Sequence, residues 1–227
     1  MIIYKMFSSS KDLSKPLKIV LLGDGSTGKT SFFERISKYN DDNYRFNKRY
    51  KATTDFNLKN IRLSTNLGDI TCFFWDTAGQ EKYGGDLRNA YIYGADAAII
   101  LYDVTNRDTI QNVQKWLDDI NSVCNEKKSI PIVTVGNKID KVKNTSSLEH
   151  VKLRESRLRS MYKNSNISNC LISVKENSSL QEASFMSSEK IVDEGVLNPL
   201  DRLLSSVFGK SVTVTREENK QVQKDDF

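Results

Sequence analysis

A glycine-rich run follows the first apolar stretch of the chain and ends in lysine and threonine. Residues 23–30 read Gly-Asp-Gly-Ser-Thr-Gly-Lys-Thr, which satisfies the pattern G-x-x-x-x-G-K-[S/T] between a predicted strand and a predicted helix. Glycines let successive backbone N–H groups point into one concavity, and the following helix adds the positive end of its dipole. Lys29 contributes a full positive charge, and Thr30 offers a hydroxyl oxygen to Mg²⁺. The run therefore predicts a site for the phosphates of a nucleoside triphosphate. Its residues are Asp24, Gly25, Ser26, Thr27, Gly28, Lys29, Thr30 and Ser31.

A second run, Trp-Asp-Thr-Ala-Gly-Gln-Glu at residues 75–81, follows another apolar stretch. Asp76, at the end of a strand beside the phosphate loop, is suited to holding the water shell of a metal ion. Gly79 allows its own N–H to approach a terminal phosphate, and Gln80 is suited to orienting a water in line with that phosphate. The run thus predicts the hydrolytic side of the same site.

The third run, Gly-Asn-Lys-Ile-Asp at residues 136–140, ends the apolar stretch 130–135. The carboxylate of Asp140 can accept both N–H groups of the N1/N2 edge of guanine, a contact that adenine cannot make. Asn137 and Lys138 complete the motif, which alone is a weak signal. In this order, each at the carboxyl end of a strand where open parallel sheets bind ligands, the three runs predict a guanine-nucleotide site.

Apolar stretches alternate with segments of helical spacing along the chain. We predict buried strands at 17–22, 70–75, 97–104 and 130–135, a strand at 56–63 that turns near 66–69, and another at 169–174. Helical spacing marks the segments around 32–36 and 110–120, and a last helix is predicted at 199–208, ended by Gly209. We expect irregular structure at 8–10, 39–44 and 176–190 and from about 211 onward. Such alternation is typical of a mainly parallel sheet with helices on both faces.

Length and composition fit one globular domain. The chain has 227 residues, of which 38% are hydrophobic and 28% charged, and eighteen apolar residues never run together, so we expect neither export nor a membrane span. Cys72, Cys124 and Cys170 lack metal or redox spacing and are expected to be reduced, buried thiols. The whole chain has a net charge of +5, and residues 141–163 alone carry a net charge of +5, so the rest of the chain is neutral. We therefore do not expect direct nucleic-acid binding.

The ordered motifs resemble those of Ras-type small GTPases. Within that superfamily, the stretch 76–85 is similar to the Ran family, which has Glu-Lys-Phe-Gly-Gly where this chain has Glu-Lys-Tyr-Gly-Gly at 81–85. Segment 44–54 resembles the Ran switch I region. The resemblance covers residues 17–140 and resumes at 169–175 and 198–209. It implies an α/β fold, the P-loop NTPase G domain, with a mostly parallel six-stranded sheet between helices.

The resemblance also assigns roles to individual residues. Phe46 is expected to stack on the base, and Thr53 to bind Mg²⁺ together with Thr30 and, through water, Asp76. Tyr50 is expected near Gln80, so that the candidate catalytic residues are Gln80, Lys29 and Tyr50. The base-binding loop of the family matches Ser173, Val174 and Lys175.

The family pattern divides the chain into three parts. We expect an N-terminal extension at 1–15, a G domain at 16–210 with insertions near 39–45, 141–168 and 176–197, and a polar tail at 211–227. Asp86 looks like an extra residue in switch II, and the tail lacks the acidic end typical of Ran. No cysteine lies near the end of the chain, so no prenyl anchor is expected.

By this resemblance the chain would be a monomeric, slowly hydrolysing switch that uses GTP/GDP and Mg²⁺ and shuttles between nucleus and cytoplasm. Its partners would be importin-β-type transport receptors and exportins, an exchange factor and a GAP. A Rab-like role in vesicle traffic is the alternative within the superfamily, suggested by the sequence at 91–97. A nucleotide-dependent scaffold that never hydrolyses GTP and a P-loop kinase are the alternatives outside it. We assign Trp75 and Trp116 to core packing and His150 to the surface, and residues 152–163 form a candidate basic face for an acidic partner.

Overall fold

The structure is a computed structural model that describes residues 12–47, 57–76, 85–124, 129–142, 166–180, 191–193 and 195–216. These residues form an α/β fold built on one curled sheet, which confirms the predicted fold class. Within the described parts of the chain, no helix has the length and apolar character needed to cross a bilayer.

Among the residues that the structure describes, eight strands form the sheet, in the order β2-β3-β1-β4-β5-β6-β7-β8. Strands β1, β3, β4, β5 and β6 run parallel, and β2 returns antiparallel beside β3 through the predicted hairpin. The strands are β1 (Leu17–Leu22), β2 (Asn57–Thr65), β3 (Gly68–Asp76), β4 (Ala97–Asp103), β5 (Ile132–Asn137), β6 (Ile167–Ser173), β7 (Ser178–Leu180) and β8 (Ile191–Asp193). β5 begins two residues later than predicted, after Pro131, which has no N–H to give to a strand ladder.

The prediction of six strands was wrong by two. β7 pairs antiparallel with β6, and β8 pairs antiparallel with β7, so both lie at one edge of the sheet. β7 falls within 176–190, where we expected irregular structure. Each of the two strands has only three residues, and β7 is mostly serine, so neither carries an apolar alternation that the sequence could reveal.

Five helices flank the sheet in the described chain: α1 (Lys29–Ser37), α2 (Gly85–Ile92), α3 (Arg107–Gln111), α4 (Val113–Cys124) and α5 (Leu197–Phe208). The segment with helical spacing around 110–120 is therefore two helices that meet at Asn112. α5 starts two residues before the predicted position and ends, as predicted, at Gly209, which has φ = 66°.

Two buried clusters of side chains lie on opposite faces of the sheet. Alternate residues of β1 serve both, since Ile19 and Leu21 face α1 and α5, whereas Val20 and Leu22 face α3 and α4. All seven residues of β4 are buried, as expected for a central strand. Among the cysteines, Cys72 and Cys170 are buried as predicted, but Cys124 at the end of α4 is only partly buried.

Residues 211–216, which the sequence assigned to a frayed polar end, pack against the domain. Val212 and Val214 are buried, and Val214 forms a β-bridge with Thr65 at the hairpin. The side chain of Asn66 accepts a hydrogen bond from the N–H of Thr213 at 2.9 Å. Alternate valines in a polar stretch therefore carry the packing, a signal that composition alone conceals.

Candidate nucleotide-binding site

The glycine-rich loop connects β1 to α1 and needs glycine at two positions. Gly23 has φ = 131°, and a Cβ there would lie 2.1 Å from the carbonyl oxygen of Leu101. Gly28 caps α1 with φ = 99°, and a Cβ there would lie 2.4 Å from Nδ2 of Asn137. A side chain at either position would displace the loop from its neighbours, so the backbone approach is built into the sequence.

Lys29 folds back over this loop. Its Nζ donates hydrogen bonds of 2.7 Å to the carbonyl oxygens of Gly23 and Asp24, and the residue is only 5% exposed. The hydroxyl of Thr27 donates to the same Asp24 carbonyl at 3.0 Å. Burying an ammonium group is costly unless it is well hydrogen-bonded, so these bonds hold its charge at the loop, as a site for phosphate requires.

The side chain of Asp24 is held from the helical layer. Asn112 Nδ2 donates to its Oδ2 at 2.7 Å, and Trp116 Nε1 donates to its Oδ1 at 2.9 Å. Trp116 packs in the core as predicted, with 2% exposure, but its hydrogen bond to the loop was not foreseen. Asn112 was not singled out at all. The available signal was their spacing of four residues, which places both side chains on one helix face.

Asp76 ends β3 as a fully buried carboxylate. Neither of its oxygens receives a hydrogen bond of good geometry from the described residues. Burial raises the pKa of Asp76 above its ordinary value, although the neighbouring Thr30 hydroxyl and Lys29 ammonium oppose that shift. An unsatisfied buried carboxylate is destabilising on its own, and a hydrated divalent cation would satisfy it. The residues present therefore fit Mg²⁺ beside the phosphate loop.

Asn137 joins three segments of the site. Its Nδ2 donates to the carbonyl oxygen of Thr27 at 2.9 Å, and its Oδ1 accepts from the N–H groups of Lys138 at 2.7 Å and Val174 at 3.0 Å. The side chain is 3% exposed, so all of these bonds are shielded from water. The phosphate loop and the two predicted base-binding loops are thus connected through one amide.

Asp140 and Ser173 form the centre of the predicted base-binding region. The Ser173 hydroxyl donates to Asp140 Oδ1 at 2.6 Å, and Lys175 Nζ lies 3.9 Å from Asp140 Oδ2. Ser173 is fully buried and also accepts the N–H of Glu176 at 3.0 Å, which fixes its hydroxyl. The Asp140 carboxylate is consequently held in one orientation, as recognition of a planar base edge requires.

Lys138 takes a left-handed backbone conformation with φ = 70° and pairs with Asp103 at the end of β4. Its Nζ lies 2.7 Å from Asp103 Oδ2. Partial burial would raise the pKa of Asp103, but hydrogen bonds from Lys138 and Thr105 outweigh it and hold that pKa below its ordinary value. Sequence reasoning missed Asp103, which belongs to an otherwise apolar strand.

The remaining predicted residues are placed only in part. Phe46 lies partly buried against the core cluster between the sheet and α1, and its stacking on a base stays a prediction. Four predicted site residues and His150 lie outside the described residues, together with the candidate basic face at 152–163. The four site residues are Tyr50, Thr53, Gly79 and Gln80.

All three motifs therefore lie at the carboxyl ends of parallel strands: the glycine loop after β1, Asp76 at the end of β3, and Asn137 at the end of β5. The family model of the Ras family matches residues 18–193. The chain belongs to the Ras family.

Membership in the Ras family makes the chain a GTP-binding switch. The glycine loop holds the Lys29 ammonium, and the Ser173 hydroxyl orients the Asp140 carboxylate. Thr30 and Asp76 are the described residues that would hold Mg²⁺. The Ras-family match ends before α5, whose buried leucines nevertheless complete the core on that face of the sheet.

Proposed function

We propose that this Ras-family chain is a Mg²⁺-dependent, GAP-stimulated GTPase of Ran type, acting in nucleocytoplasmic transport through importin- and exportin-like receptors. The observation that carries the proposal is the sequence Glu-Lys-Tyr-Gly-Gly at 81–85, next to Gln80. Segment 44–54, with its similarity to the Ran switch I region, supports it further. We place the protein in both nucleus and cytoplasm, as a monomer.

The proposed site residues would supply binding and charge neutralisation for hydrolysis. Lys29 neutralises charge on the phosphates, and Thr30 and Thr53, with Asp76 through water, would hold Mg²⁺. When bound, the cation neutralises charge that develops on the phosphate oxygens. By the family resemblance, Gln80 would orient the attacking water in line with the γ-phosphate, with Tyr50 near it. Such a site accelerates the reaction by placement and electrostatics.

Intrinsic hydrolysis by such a site is slow, because ordering of the catalytic glutamine is left to a partner. A GAP adds roughly 10³- to 10⁵-fold in rate, which corresponds to about 4–7 kcal/mol of barrier. Gln80→Leu should therefore abolish GAP-stimulated turnover and spare GTP binding. Unchanged single-turnover hydrolysis of this variant in the presence of a GAP would reject the role. Phosphate release in the same assay distinguishes a GTPase from a scaffold that never hydrolyses GTP.

The γ-phosphate would also control partner choice. By the family resemblance, contacts from Thr53 and Gly79 to that phosphate would hold the switch segments, which would relax after hydrolysis. An exchange factor then replaces GDP by GTP. The decisive experiment is a pull-down with an importin-β-type receptor, using Gln80→Leu loaded with GTP and the wild type loaded with GDP. We expect capture of the GTP form only; capture of neither form, or of both equally, would contradict the Ran-type assignment.

A Rab-like role in vesicle traffic is the second candidate, favoured by the sequence at 91–97, whose Tyr91 belongs to an aromatic group beside the sheet. Trp75 and Tyr91 pack with ring centroids 6.3 Å apart at 58°, and Lys18 Nζ lies 4.0 Å over the Trp75 ring. Phe73 on the same sheet is 42% exposed. Capture of vesicle-tethering proteins by the GTP form, without capture of transport receptors, would favour this candidate over the first.

A further inference from the structure

The phosphate loop is fastened to the helical layer through one carboxylate. The two oxygens of Asp24 each have a separate donor, Asn112 Nδ2 at 2.7 Å and Trp116 Nε1 at 2.9 Å. These donors are 88 and 92 residues away in sequence, so the contact exists only in the folded domain. Hydrogen bonds to an ionised acceptor are about twice as strong as neutral ones, so this pair fixes the direction of the Asp24 side chain.

The main chain of the same residue holds the phosphate-binding lysine. The Asp24 carbonyl oxygen accepts from Lys29 Nζ at 2.7 Å and from the Thr27 hydroxyl at 3.0 Å. The carboxylate and the carbonyl oxygen belong to the same residue, so holding the one at Asn112 and Trp116 restricts displacement of the other. Release of the carboxylate would therefore loosen the position of the Lys29 ammonium as well.

The two donors are themselves rigid. Asn112 lies at the junction of α3 and α4, where its own N–H donates to the Asp108 carbonyl at 2.9 Å and its carbonyl accepts from the Trp116 N–H at 3.2 Å. Trp116 is 2% exposed and packs in the core cluster that faces α3 and α4. Donors on a packed scaffold lose little freedom when they bind, which is the arrangement that a precise binding site needs.

We propose that Asn112 and Trp116 are positioning residues for the nucleotide: by holding Asp24, and through it Lys29, they keep the phosphate loop in its binding geometry and slow nucleotide release. The proposal rests on GTP and GDP binding by this Ras-family domain. A purely structural role would instead affect the stability of the fold and leave the release rate unchanged.

Release of a fluorescent GDP analogue from the full chain in Mg²⁺ tests the proposal. Trp116→Phe keeps an aromatic ring in the core but removes the N–H donor, and Asn112→Ala removes the other donor at an exposed position. We expect each to speed release by about ten-fold, from the loss of one hydrogen bond to a charged acceptor. Gln114→Ala is the matched control, because it removes a side-chain donor of the same helix that bonds the Asp118 carboxylate at 2.7 Å instead of Asp24.

A double-mutant cycle with Asp24→Ala separates positioning from general loosening. If the donors act through Asp24, Trp116→Phe and Asn112→Ala add nothing to the release rate of Asp24→Ala. Equal acceleration in both backgrounds, or none in the wild-type background, would overturn the proposal. Should Trp116→Phe fail to fold, Asn112→Ala carries the cycle alone.

The indole N–H signals of the folded protein give a second readout. The chain has two tryptophans, so Trp75 supplies an internal reference for Trp116. Asp24→Ala should shift the Trp116 indole resonance and leave that of Trp75 in place; an unmoved Trp116 resonance would overturn the proposal. If the wild type retains nucleotide tightly and the variants release it at the same rate, only the positioning role is refuted. If the wild type retains no nucleotide, GTP binding is refuted as well.

Discussion

Asn137→Ala is the perturbation whose effect follows most directly from the geometry of the site. The side chain makes three hydrogen bonds: it donates to Thr27 and accepts from Lys138 and Val174. Each such bond contributes about 0.5–1.5 kcal/mol net, so their loss should cost about 2–4 kcal/mol. For a chain of this size that corresponds to a fall in Tm of about 5–15 °C.

The variant should also bind GTP more weakly, because the phosphate loop and the base-binding loops lose their common link. Thermal unfolding followed by circular dichroism gives the first quantity, and equilibrium titration with a fluorescent GTP analogue gives the second. Asn43→Ala, at an exposed position, is the control and should change neither. A fall in Tm of less than about 1 °C for Asn137→Ala, with unaltered affinity, would refute the inference that this amide organises the site.

Three further predictions follow from the ionisable groups. Because burial raises the pKa of Asp76 in the folded state, the ionised carboxylate destabilises the metal-free domain at neutral pH. Asp76→Asn should therefore raise the Tm measured in EDTA. It should also abolish the increase in Tm that Mg²⁺ gives the GDP-bound wild type. The Lys138 ammonium lowers the pKa of Asp103 in the folded state. The ionised Asp103 carboxylate therefore stabilises the fold above the ordinary carboxyl pKa of about 3.9, and this stabilisation is lost as pH falls through the lower pKa of the folded state. Thermal unfolding curves of Asp103→Asn and the wild type should thus converge in acid. Burial raises the pKa of the Cys72 thiol to about 12, so a disulfide reagent at pH 8 should modify the partly buried Cys124 first and Cys72 only on unfolding.

The sequence was most informative where residue type and strand direction act together. Both ends of β1 were predicted correctly, because the strand coincides with the apolar run 17–22 and glycine follows it directly. The convergence of the glycine loop, Asp76 and Asn137 was also predictable, because the carboxyl ends of parallel strands lie at one edge of a sheet. The Gly23 and Gly28 conformations confirm why those two positions carry glycine.

Features that depend on long-range contacts could not be predicted in the same way. Asp24 is held by Asn112 and Trp116, which are 88 and 92 residues away in sequence. Their spacing of four residues places them on one face but does not show which loop that face contacts. β7 and β8 exist because an edge strand offers backbone groups to pair with, which needs no apolar pattern. The packing of Val212 and Val214 similarly depends on a hairpin far away in the chain.

We propose that Asp140 recognises guanine beside the phosphate loop that holds Lys29. The most direct measurement is competition of unlabelled GTP and ATP against a fluorescent GDP analogue bound to the purified chain in Mg²⁺. Two charge-assisted hydrogen bonds to the guanine edge predict that GTP competes at a concentration at least about 10²-fold lower than ATP does. Equal competition by the two nucleotides would contradict the account.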